Sequence, residues 1–453
     1  MDILVSILAF VVAISVLVAV HEFGHFWVAR KLGVKVLRFS IGFGKPLLKH
    51  TGKDGTEYVI SAIPLGGYVK MLGEYGDAQL SEEEKTQAHN NKSVYVRFAI
   101  SFAGPAFNFI FAILAYWLVF TIGVNGTKPI IGTVTEASAA AVAGLKTNDE
   151  IIEINGEKTP IWNVALQAMI PSIVDKQNIN FVVSDGYGGS RNLTLILPES
   201  TDELEPNELF DTLGFEPWRP PIKPTIGLVV EGDPAAKAGM LEGDKIIALD
   251  QLQVNEWSDL VEYVKKRPNT DISVLVERDG LEQKLLIHTK SVKEKDKAVG
   301  KMGIAPKEYG EFPDEMKVLY QYPLFASLKK SLENTAHYSL FTLKMMGKII
   351  TGDVSIKNLS GPINIAIIAG YSASAGWARF FDFLAIVSIS LGVLNLLPIP
   401  ILDGGHLLYY LIEMIKGSPV SEQIMEIGQR IGIVLLLMLM SIAFFNDLSR
   451  IFG

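Results

Sequence analysis

Long apolar stretches alternate with polar ones along this chain, and four of them reach the roughly 20 residues that a helix needs to cross a bilayer. They are residues 3–29, 97–123, 379–397 and 429–446. Two other patterns lie between them: β-type sequence near residues 36–71, and a tandem repeat within residues 127–310. The pattern predicts a multi-pass α-helical membrane protein with four transmembrane helices and β-containing regions outside them.

The first apolar segment ends in three ionisable residues within VAVHEFGHFWVAR, residues 18–30. His21, Glu22 and His25 follow an apolar run without any charge. Ionisable side chains at membrane depth are costly, and by default they indicate function. No basic residue precedes the run and no small-residue cleavage pattern follows it. We therefore expect a retained span over residues 1–30 and not a signal peptide.

Basic residues predict which side of the membrane each connection faces. Residues 30–97 hold eleven Lys or Arg, whereas the first twenty residues hold none. Because basic loops stay in the cytoplasm, residues 31–96 are predicted to be cytoplasmic. Both termini and residues 124–378 are then outside, and residues 398–428 are inside.

The cytoplasmic region is predicted to form a small β-hairpin or sheet against the membrane, with a plain hairpin domain as the alternative. VLRFSIGFGKPLL and TEYVISAIPLGGYVKML are rich in β-forming residues. Glycines at positions 42, 44, 66 and 67 punctuate them, which indicates bends or turns.

The exterior region contains an internal repeat. Residues 131–162 align without a gap with residues 226–257, at an offset of 95. Shared positions are Gly132/Gly227, Val134/Val229, Glu136/Glu231, Ala143/Ala238, Gly144/Gly239 and Asp149/Asp244. Two tandem copies of one small α+β domain are predicted, at residues 127–220 and 221–310.

Each copy resembles a PDZ domain in its Ile-Gly-x-Val strand, its short x-A-A-x-A-G helix and the x-x-x-D-x-I-I strand that follows. In PDZ domains a strand captures an extended peptide by strand addition. The groove positions that match are Gly132, Val134, Gly227, Leu228 and Val229. The alternative is a pair of degenerate spacers.

Residues 323–377 are predicted to form amphipathic interfacial helices on the outer membrane surface. In the stretch LKKSLENTAHYSLFTLKMMGKIITG, apolar Leu332, Leu340, Leu343 and Met346 have basic residues between them. Gly361-Pro362 breaks the segment that follows.

His21, Glu22 and His25 form the pattern His-Glu-x-x-His. On a helix the two histidines lie one turn apart on one face and reach one metal ion, with the glutamate placed beside it as general base. A catalytic zinc takes three protein ligands and keeps an open fourth position. The alternative is a pair of histidines satisfied within a helix bundle.

The third ligand is sought in the other unusual apolar segment, predicted as residues 379–408. Pro398 and Pro400 must end or unwind this span. Irregular backbone at membrane depth is tolerated only where it lines a cavity or is buried in protein. Asp403 would then stand at the cytoplasmic end of its span, as the two histidines do in theirs. We rank it ahead of His406 as a ligand, with a turn or helix N-cap as the alternative role.

Composition narrows the function classes. Hydrophobic residues make up 49% of the 453 and charged residues only 20%, which is too apolar for an ordinary soluble enzyme. The net charge of -8 and the absence of a basic run argue against a nucleic-acid partner. The chain has no cysteine, so cysteine metal sites and disulfides are excluded.

In combination, HEFGH in the first span, GPAFNF at residues 104–109, NLLPIPILDGG in the third span and the PDZ-like inserts resemble the site-2 protease family. The resemblance covers essentially the whole chain and implies a zinc intramembrane protease. The family implies His21, His25 and Asp403 as zinc ligands and Glu22 as the catalytic base. It also implies substrate-engaging positions at Asn395, Pro398 and Pro400, and in a membrane-associated loop at Gly42, Phe43 and Gly44.

The resemblance further implies substrates and a location. The family cuts single-span membrane proteins already trimmed by another protease, notably an anti-sigma factor, and remnant signal peptides. The protein would lie in a bacterial inner membrane, with the lipid bilayer as a partner. The exterior PDZ-like domains would act as a periplasmic size filter.

Two other function classes remain open. A metal-ion transporter would need polar residues along a path through several spans, and spans two and four offer few besides Asn108. A non-catalytic scaffold presenting two PDZ modules would leave His-Glu-x-x-His unexplained and would tolerate replacement of Glu22.

Overall fold

The computed structural model describes residues 3–74, 80–185, 188–198, 209–294, 297–308 and 310–452. Within these ranges four helices are long and apolar enough to cross a membrane: Ile3–Lys31, Val94–Ile122, Trp377–Leu396 and Glu422–Ile451. The prediction of a helical membrane protein with four long apolar helices thus agrees with the structure.

The chain begins with helix α1 (Ile3–Lys31), followed by strands β1 (Val36–Thr51) and β2 (Glu57–Met71). Each strand bends, so the two form four antiparallel segments. Segment 36–41 pairs with both 67–71 and 57–60, and segment 57–61 also pairs with 46–51. The predicted β region is therefore a small sheet rather than a plain hairpin.

The bend in β1 falls at two glycines. Gly42 has φ 89° and Gly44 has φ 88°. Glycine adopts this left-handed region without steric cost, whereas other residues are strained there. A side chain at Gly42 would also approach the Ile63 carbonyl oxygen to 2.8 Å. The glycines therefore allow β1 to fold back as part of the sheet.

Helix α2 (Glu82–Gln87) leads to α3 (Val94–Ile122), which crosses α1 closely. A Cβ atom on Gly24 would lie 2.4 Å from the Ala103 carbonyl oxygen. A Cβ on Gly104 would lie 2.3 Å from Nε2 of His25. Small residues let helix backbones approach, and these two glycines bring α3 onto the histidine face of α1.

Two repeat units follow. The first repeat unit contains β3 (Val124–Thr127), β4 (Ile131–Val134), α4 (Ala139–Ala143), β5 (Glu150–Ile154), β6 (Glu157–Lys158), α5 (Trp162–Val174), β7 (Ile179–Ser184), β8 (Ser190–Leu195), α6 (Leu209–Leu213) and β9 (Phe215–Pro217). The second repeat unit contains β10 (Ile226–Val229), α7 (Pro234–Lys237), β11 (Lys245–Leu249), β12 (Leu252–Gln253), α8 (Trp257–Lys265), β13 (Asp271–Arg278), β14 (Leu281–His288), β15 (Lys290–Glu294), β16 (Lys297–Lys301) and β17 (Ile304–Pro306).

The two units share one plan. Each has a four-stranded antiparallel sheet, ordered β6-β5-β7-β8 in the first and β12-β11-β13-β14 in the second. Each also has a two-stranded pair, β4-β9 or β10-β17. Their hydrophobic cores have no residue in common. The repeat in the sequence therefore corresponds to two separately packed units with the same strand order.

The strands predicted to accept a peptide already have partners. β4 pairs with β9 and β10 pairs with β17 over their lengths. A Cβ on Gly132 would lie 2.9 Å from the Pro217 carbonyl oxygen, and one on Gly227 would lie 2.3 Å from Cα of Lys307. These glycines serve the close approach of the partner strand. The other edges of β4 and β10 have no partner strand in the described ranges, so strand addition of a peptide there stays a prediction.

Strand β18 (Lys317–Tyr320) pairs with β3 and returns the chain to helix α9 (Leu324–Thr351). Helix α10 (Pro362–Ser374) follows and packs against the start of α1, where a Cβ on Gly370 would lie 2.3 Å from Ser6 Oγ. The segment predicted as interfacial helices is thus divided. α9 has the amphipathic pattern, whereas α10 is part of the helix bundle.

The predicted span 379–408 is two helices, α11 (Trp377–Leu396) and α12 (Asp403–Lys416). α11 ends two residues before Pro398, as its prolines predicted. Leu397 is extended, with φ -65° and ψ 146°, because the residue before a proline is disfavoured in helical conformation. The boundary is therefore corrected: the apolar run breaks before Asp403.

Helix α13 (Glu422–Phe452) closes the described chain. Near its end the buried Asp447 carboxylate accepts backbone N–H groups from Gly361, Ile363 and Asn364 at 2.9–3.1 Å. N–H groups at the start of a helix such as α10 have no partner within the helix itself. One carboxylate thus fixes the end of α13 to the start of α10.

Candidate metal centre

Two histidines of α1 and the first residue of α12 converge on one point. Oδ2 of Asp403 lies 3.0 Å from Nε2 of His21 and 3.4 Å from Nε2 of His25. The two histidine Nε2 atoms are 3.2 Å apart. Within the described residues, no other group of three His, Cys, Asp or Glu side chains has its ligand atoms so close together.

These distances suit a zinc ion. With metal–ligand bonds of about 2.0–2.1 Å, tetrahedral ligand atoms lie roughly 3.3–3.4 Å from one another. The three observed separations are close to that value, and two neutral imidazoles with one carboxylate are common zinc ligands. The residues present therefore fit the metal.

Helix α1 presents both imidazoles because His21 and His25 are one turn apart. Their ring centroids are 4.9 Å apart and the ring planes meet at 79°. Both rings direct Nε2 inward, which leaves each Nδ1 free to contact a neighbouring helix.

That neighbouring helix is α3. Nδ1 of His25 lies 2.7 Å from the carbonyl oxygen of Ile100, a donor–acceptor pair that orients the ring. Nδ1 of His21 lies 3.2 Å from Nδ2 of Asn108. In the sequence, Asn108 stands out only as a polar residue of an apolar span and as a member of GPAFNF. Its spacing of one helical turn from Gly104 was the available signal.

Asp403 reaches the site because the chain turns tightly before α12. A Cβ on Gly404 would lie 2.1 Å from the Leu397 carbonyl oxygen, and one on Gly405 would lie 2.4 Å from Cα of Pro400. Only glycine fits at these two positions without displacing backbone. Leu402 is the N-cap of α12. Asp403 follows that cap, and its carboxylate turns toward the histidines.

An ion pair holds α12 against α3. Nη2 of Arg97 lies 2.6 Å from Oε1 of Glu413, and its guanidinium lies 5.2 Å from the centre of the Tyr410 ring.

Burial, Arg97 and His406 together lower the pKa of nearby His89 to about 4, so that imidazole is neutral at pH 7. His406 itself lies outside the ligand group.

Glu22 is beside the ligands and is not one of them. Its side chain lies under the β2 segment 67–71: a Cβ on Gly67 would lie 3.0 Å from Cγ of Glu22 and 2.8 Å from Cγ1 of Val18. The glycine therefore allows the sheet to lie directly on the face of α1 that carries Val18 and Glu22.

The other predicted site residues lie in two further places. Asn395 is in the last turn of α11, and Pro398 and Pro400 are in the turn before α12. Gly42 and Gly44 flank Phe43 at the bend of β1, where the Phe43 ring stacks on Tyr68 with centroids 6.1 Å apart. None of these belongs to the ligand group, and contact with a substrate stays a prediction.

A histidine–histidine–aspartate centre on α1 and α12, in a chain with four helices long and apolar enough to cross a membrane, is the architecture of a membrane metalloprotease. The chain also matches the model of peptidase family M50 over residues 9–439. It therefore belongs to peptidase family M50, the site-2 protease family, and it is a zinc metalloprotease of the membrane. The family resemblance seen in the sequence is confirmed.

Its relatives have matching lengths. The chain is 44% identical to the regulator of sigma-E protease RseP of Salmonella typhimurium (strain 14028s / SGSC 2262) over 453 residues, covering 100% of both chains. It is 44% identical to the protein of the same name from Escherichia coli (strain K12) over 443 residues, 98% of both. A putative zinc metalloprotease of Vibrio cholerae is 43% identical over 452 residues, 99% of this chain and 100% of that one.

Proposed function

We propose that this protein hydrolyses a peptide bond within the membrane segment of single-span proteins. His21, His25 and Asp403 hold the zinc, and Glu22 is the general base. The observation that carries the proposal is the convergence of three ligand atoms at 3.0–3.4 Å, next to a glutamate on the same helix.

The chemistry follows from these positions. When bound, zinc supplies a Lewis acid and lowers the pKa of a bound water towards 7. Glu22 follows His21 directly in α1, so it lies beside the ligands without sharing their face. It takes a proton from the attacking water and then delivers it to the leaving amine.

A helical substrate must be unwound before it is cut, because its scissile bond lies within the helical hydrogen-bond pattern. The segment 67–71 pairs only with 36–41 in the described chain, so its other edge is open. It lies over Glu22 and would receive an unwound substrate by strand addition. Asn395 and the Gly42–Gly44 bend would contact the same stretch.

The names of the relatives favour a class of substrate. Two of the relatives are named regulator of sigma-E protease. That name suggests, as the substrate, an anti-sigma factor with one span that another protease has already shortened. Remnant signal peptides are short single spans of the same kind. The protein would lie in a bacterial inner membrane, with residues 31–96 cytoplasmic and the repeat units periplasmic.

The repeat units, as PDZ-like domains, would exclude substrates that still carry a bulky exterior domain. The first unit is attached to α9, since Lys330 Nζ lies 3.0 Å from Oε1 of Glu157 and Lys348 Nζ lies 3.2 Å from Oδ1 of Asp175. Lys344 also pairs with Asp175. These ion pairs support a fixed position of the first unit relative to α9.

The central test is cleavage of a pre-trimmed single-span substrate by the full chain in lipid vesicles. Glu22→Gln should lower the rate by about 10²–10⁴-fold, the usual contribution of a general base, while zinc remains bound. Glu426→Gln, an exposed glutamate of α13 with a side chain 68% accessible, is the matched control. Cleavage by the Glu22 variant at the wild-type rate would contradict the proposal.

The same vesicles distinguish the rival classes. A transporter would carry zinc across the membrane whether or not Glu22 is present, and a scaffold would leave the substrate intact in every variant. Zinc removal by a chelator should stop cleavage, and zinc added back should restore it.

The size filter is tested with one membrane segment joined to exterior domains of increasing size. The full chain should cut the short forms and leave the long ones intact. Equal cleavage across the series would exclude a size filter and would leave the proposed metal site unaffected.

A further inference from the structure

Asn108 is a buried polar residue at the metal centre, and the hydrogen bonds of its side-chain amide are incomplete. It is 0% exposed. Its Nδ2 lies 3.2 Å from Nδ1 of His21, and its Oδ1 has no hydrogen-bond partner in the described structure. Buried polar atoms are normally paired, so an orphaned amide oxygen beside a metal ligand needs an explanation.

The inward atom of His21 determines what Nδ1 must do. Nε2 faces Asp403 at 3.0 Å and the other histidine at 3.2 Å, so Nε2 is the metal-binding nitrogen. A nitrogen that binds zinc carries no hydrogen, and a neutral imidazole then carries its hydrogen on Nδ1. That N–H would face the NH₂ group of Asn108, which places two donors against each other.

Turning the amide by half a turn removes both difficulties. The oxygen and nitrogen of an asparagine amide have nearly the same shape, and their assignment follows from the hydrogen-bond network. After the turn, Oδ1 accepts the Nδ1–H of His21 and is no longer orphaned. Metal-binding histidines almost always donate their second ring N–H in this way.

We propose that Asn108 is a positioning residue for the zinc ligand His21 and presents Oδ1 to it when the metal is bound. The inference rests on the proposed function, since it needs His21 as a ligand. Ile100 plays the same part for His25 through its backbone carbonyl oxygen, at 2.7 Å. Helix α3 thus orients both histidines of α1.

An amide suits a site that gains and loses its metal. Without zinc, Nε2–H of His21 donates to Asp403, and Nδ1 accepts Nδ2–H of Asn108. With zinc the hydrogen moves to Nδ1 and the amide presents its oxygen. A hydrogen bond from Ser388 Oγ to the Asn108 backbone oxygen, 2.9 Å long, holds α3 at this point while the amide turns.

The test is zinc affinity of the full-length protein in detergent, measured by competition with a chelator of known affinity. Asn108→Asp keeps an acceptor for Nδ1–H, whereas Asn108→Leu keeps the size and removes it. We expect the Leu variant to bind zinc about 10–100-fold more weakly, and the Asp variant to bind at least as tightly as wild type. Thr121→Val removes another orphaned buried oxygen from α3 and should leave zinc affinity unchanged.

Wild-type affinity in the Leu variant would overturn the inference, and so would equal losses in the Leu and Asp variants. Should the Leu variant not fold, Asn108→Ala removes the amide without adding bulk and takes its place. Asp403→Ala separates the two proposals. If it binds zinc like wild type, the ligand set is wrong. If it loses zinc while the Leu variant does not, only the role of Asn108 is wrong.

Discussion

The half-buried aspartate of the metal centre and the buried aspartates of the repeat units are paired in opposite ways. The carboxylate of Asp244 in the second unit is 1% exposed and receives Arg278 at 2.7 Å through two nitrogens and the Leu241 N–H at 2.9 Å. Asp149 in the first unit is also paired with an arginine, since Nη2 of Arg191 donates to both of its carboxylate oxygens at 2.5 and 2.6 Å. Asp403, by contrast, meets two imidazole nitrogens and, among the described residues, no lysine or arginine.

The difference separates a completed ion pair from a binding site. In the repeat units an arginine neutralises the acid, so the cluster needs nothing from outside the chain. At the metal centre one carboxylate and two imidazole nitrogens converge, an arrangement that suits a bound cation. A buried acid therefore indicates a ligand only where the chain does not supply its counter-charge.

Gly104→Ala should have the largest effect and should act on the metal centre alone. The new Cβ would lie 2.3 Å from Nε2 of His25 and 2.7 Å from Cε1 of His21, so both ligands must move. Cleavage should fall at least about 10²-fold, as small misplacements of catalytic groups do, and zinc content should fall with it.

Gly347→Ala in α9 is the control, because a Cβ there meets nothing within 4 Å. Full zinc content in the Gly104 variant, measured by elemental analysis, would show that the close crossing of α1 and α3 does not shape the site.

Asp244→Asn should destabilise the second repeat unit and spare the metal centre. Removing one partner of a buried ion pair costs about 3–5 kcal/mol. We expect about 3 kcal/mol or somewhat less, because the Arg278 side chain is 21% exposed. Hydrogen exchange of β10–β14 would measure it.

Asp149→Asn is the matched variant in the first unit and should act there alone. A loss of zinc affinity in either variant would break the distinction between structural pair and binding site.

Acid should weaken the second unit in a defined pH range. Burial alone would raise the pKa of Asp244, but hydrogen bonds from Arg278 and the Leu241 N–H hold that pKa below its usual value. Because the pKa of Asp244 is lower in the folded unit than in the unfolded chain, where it is about 4, the ionised carboxylate stabilises the folded unit at pH values above about 4. This stabilisation is lost as the pH falls through the folded pKa. Hydrogen exchange between pH 6 and 3 should show this loss in wild type and not in Asp244→Asn.

Lys344→Met should have the smallest effect. Its partner Asp175 is also paired with Lys348, and hydrogen bonds from these lysines, Lys344 first, hold the pKa of Asp175 below its usual value. Partly exposed pairs contribute about 0–1 kcal/mol. The size limit for exterior substrate domains should shift slightly or not at all, and a large shift would mean that this single contact positions the first unit.

Much of the architecture was readable from neighbouring residues. The four spans, the two histidines one turn apart, the repeat and the break before Asp403 are all local patterns, because helical periodicity and proline geometry act over a few residues. The prediction of Asp403 as the third ligand needed one further step, namely that the cytoplasmic ends of the first and third spans lie at a similar depth in the membrane.

Other features depended on which distant segments meet. Only the tertiary structure shows that β4 pairs with β9 and β10 with β17, that β1 and β2 fold into four segments, and that α10 packs beside α1. The same holds for Ile100 and Asn108 behind the histidines. Local sequence determines which element forms. The contacts between elements depend on close approaches of two helices at residues such as Gly24 and Gly104. Neither helix by itself specifies which partner approaches it there.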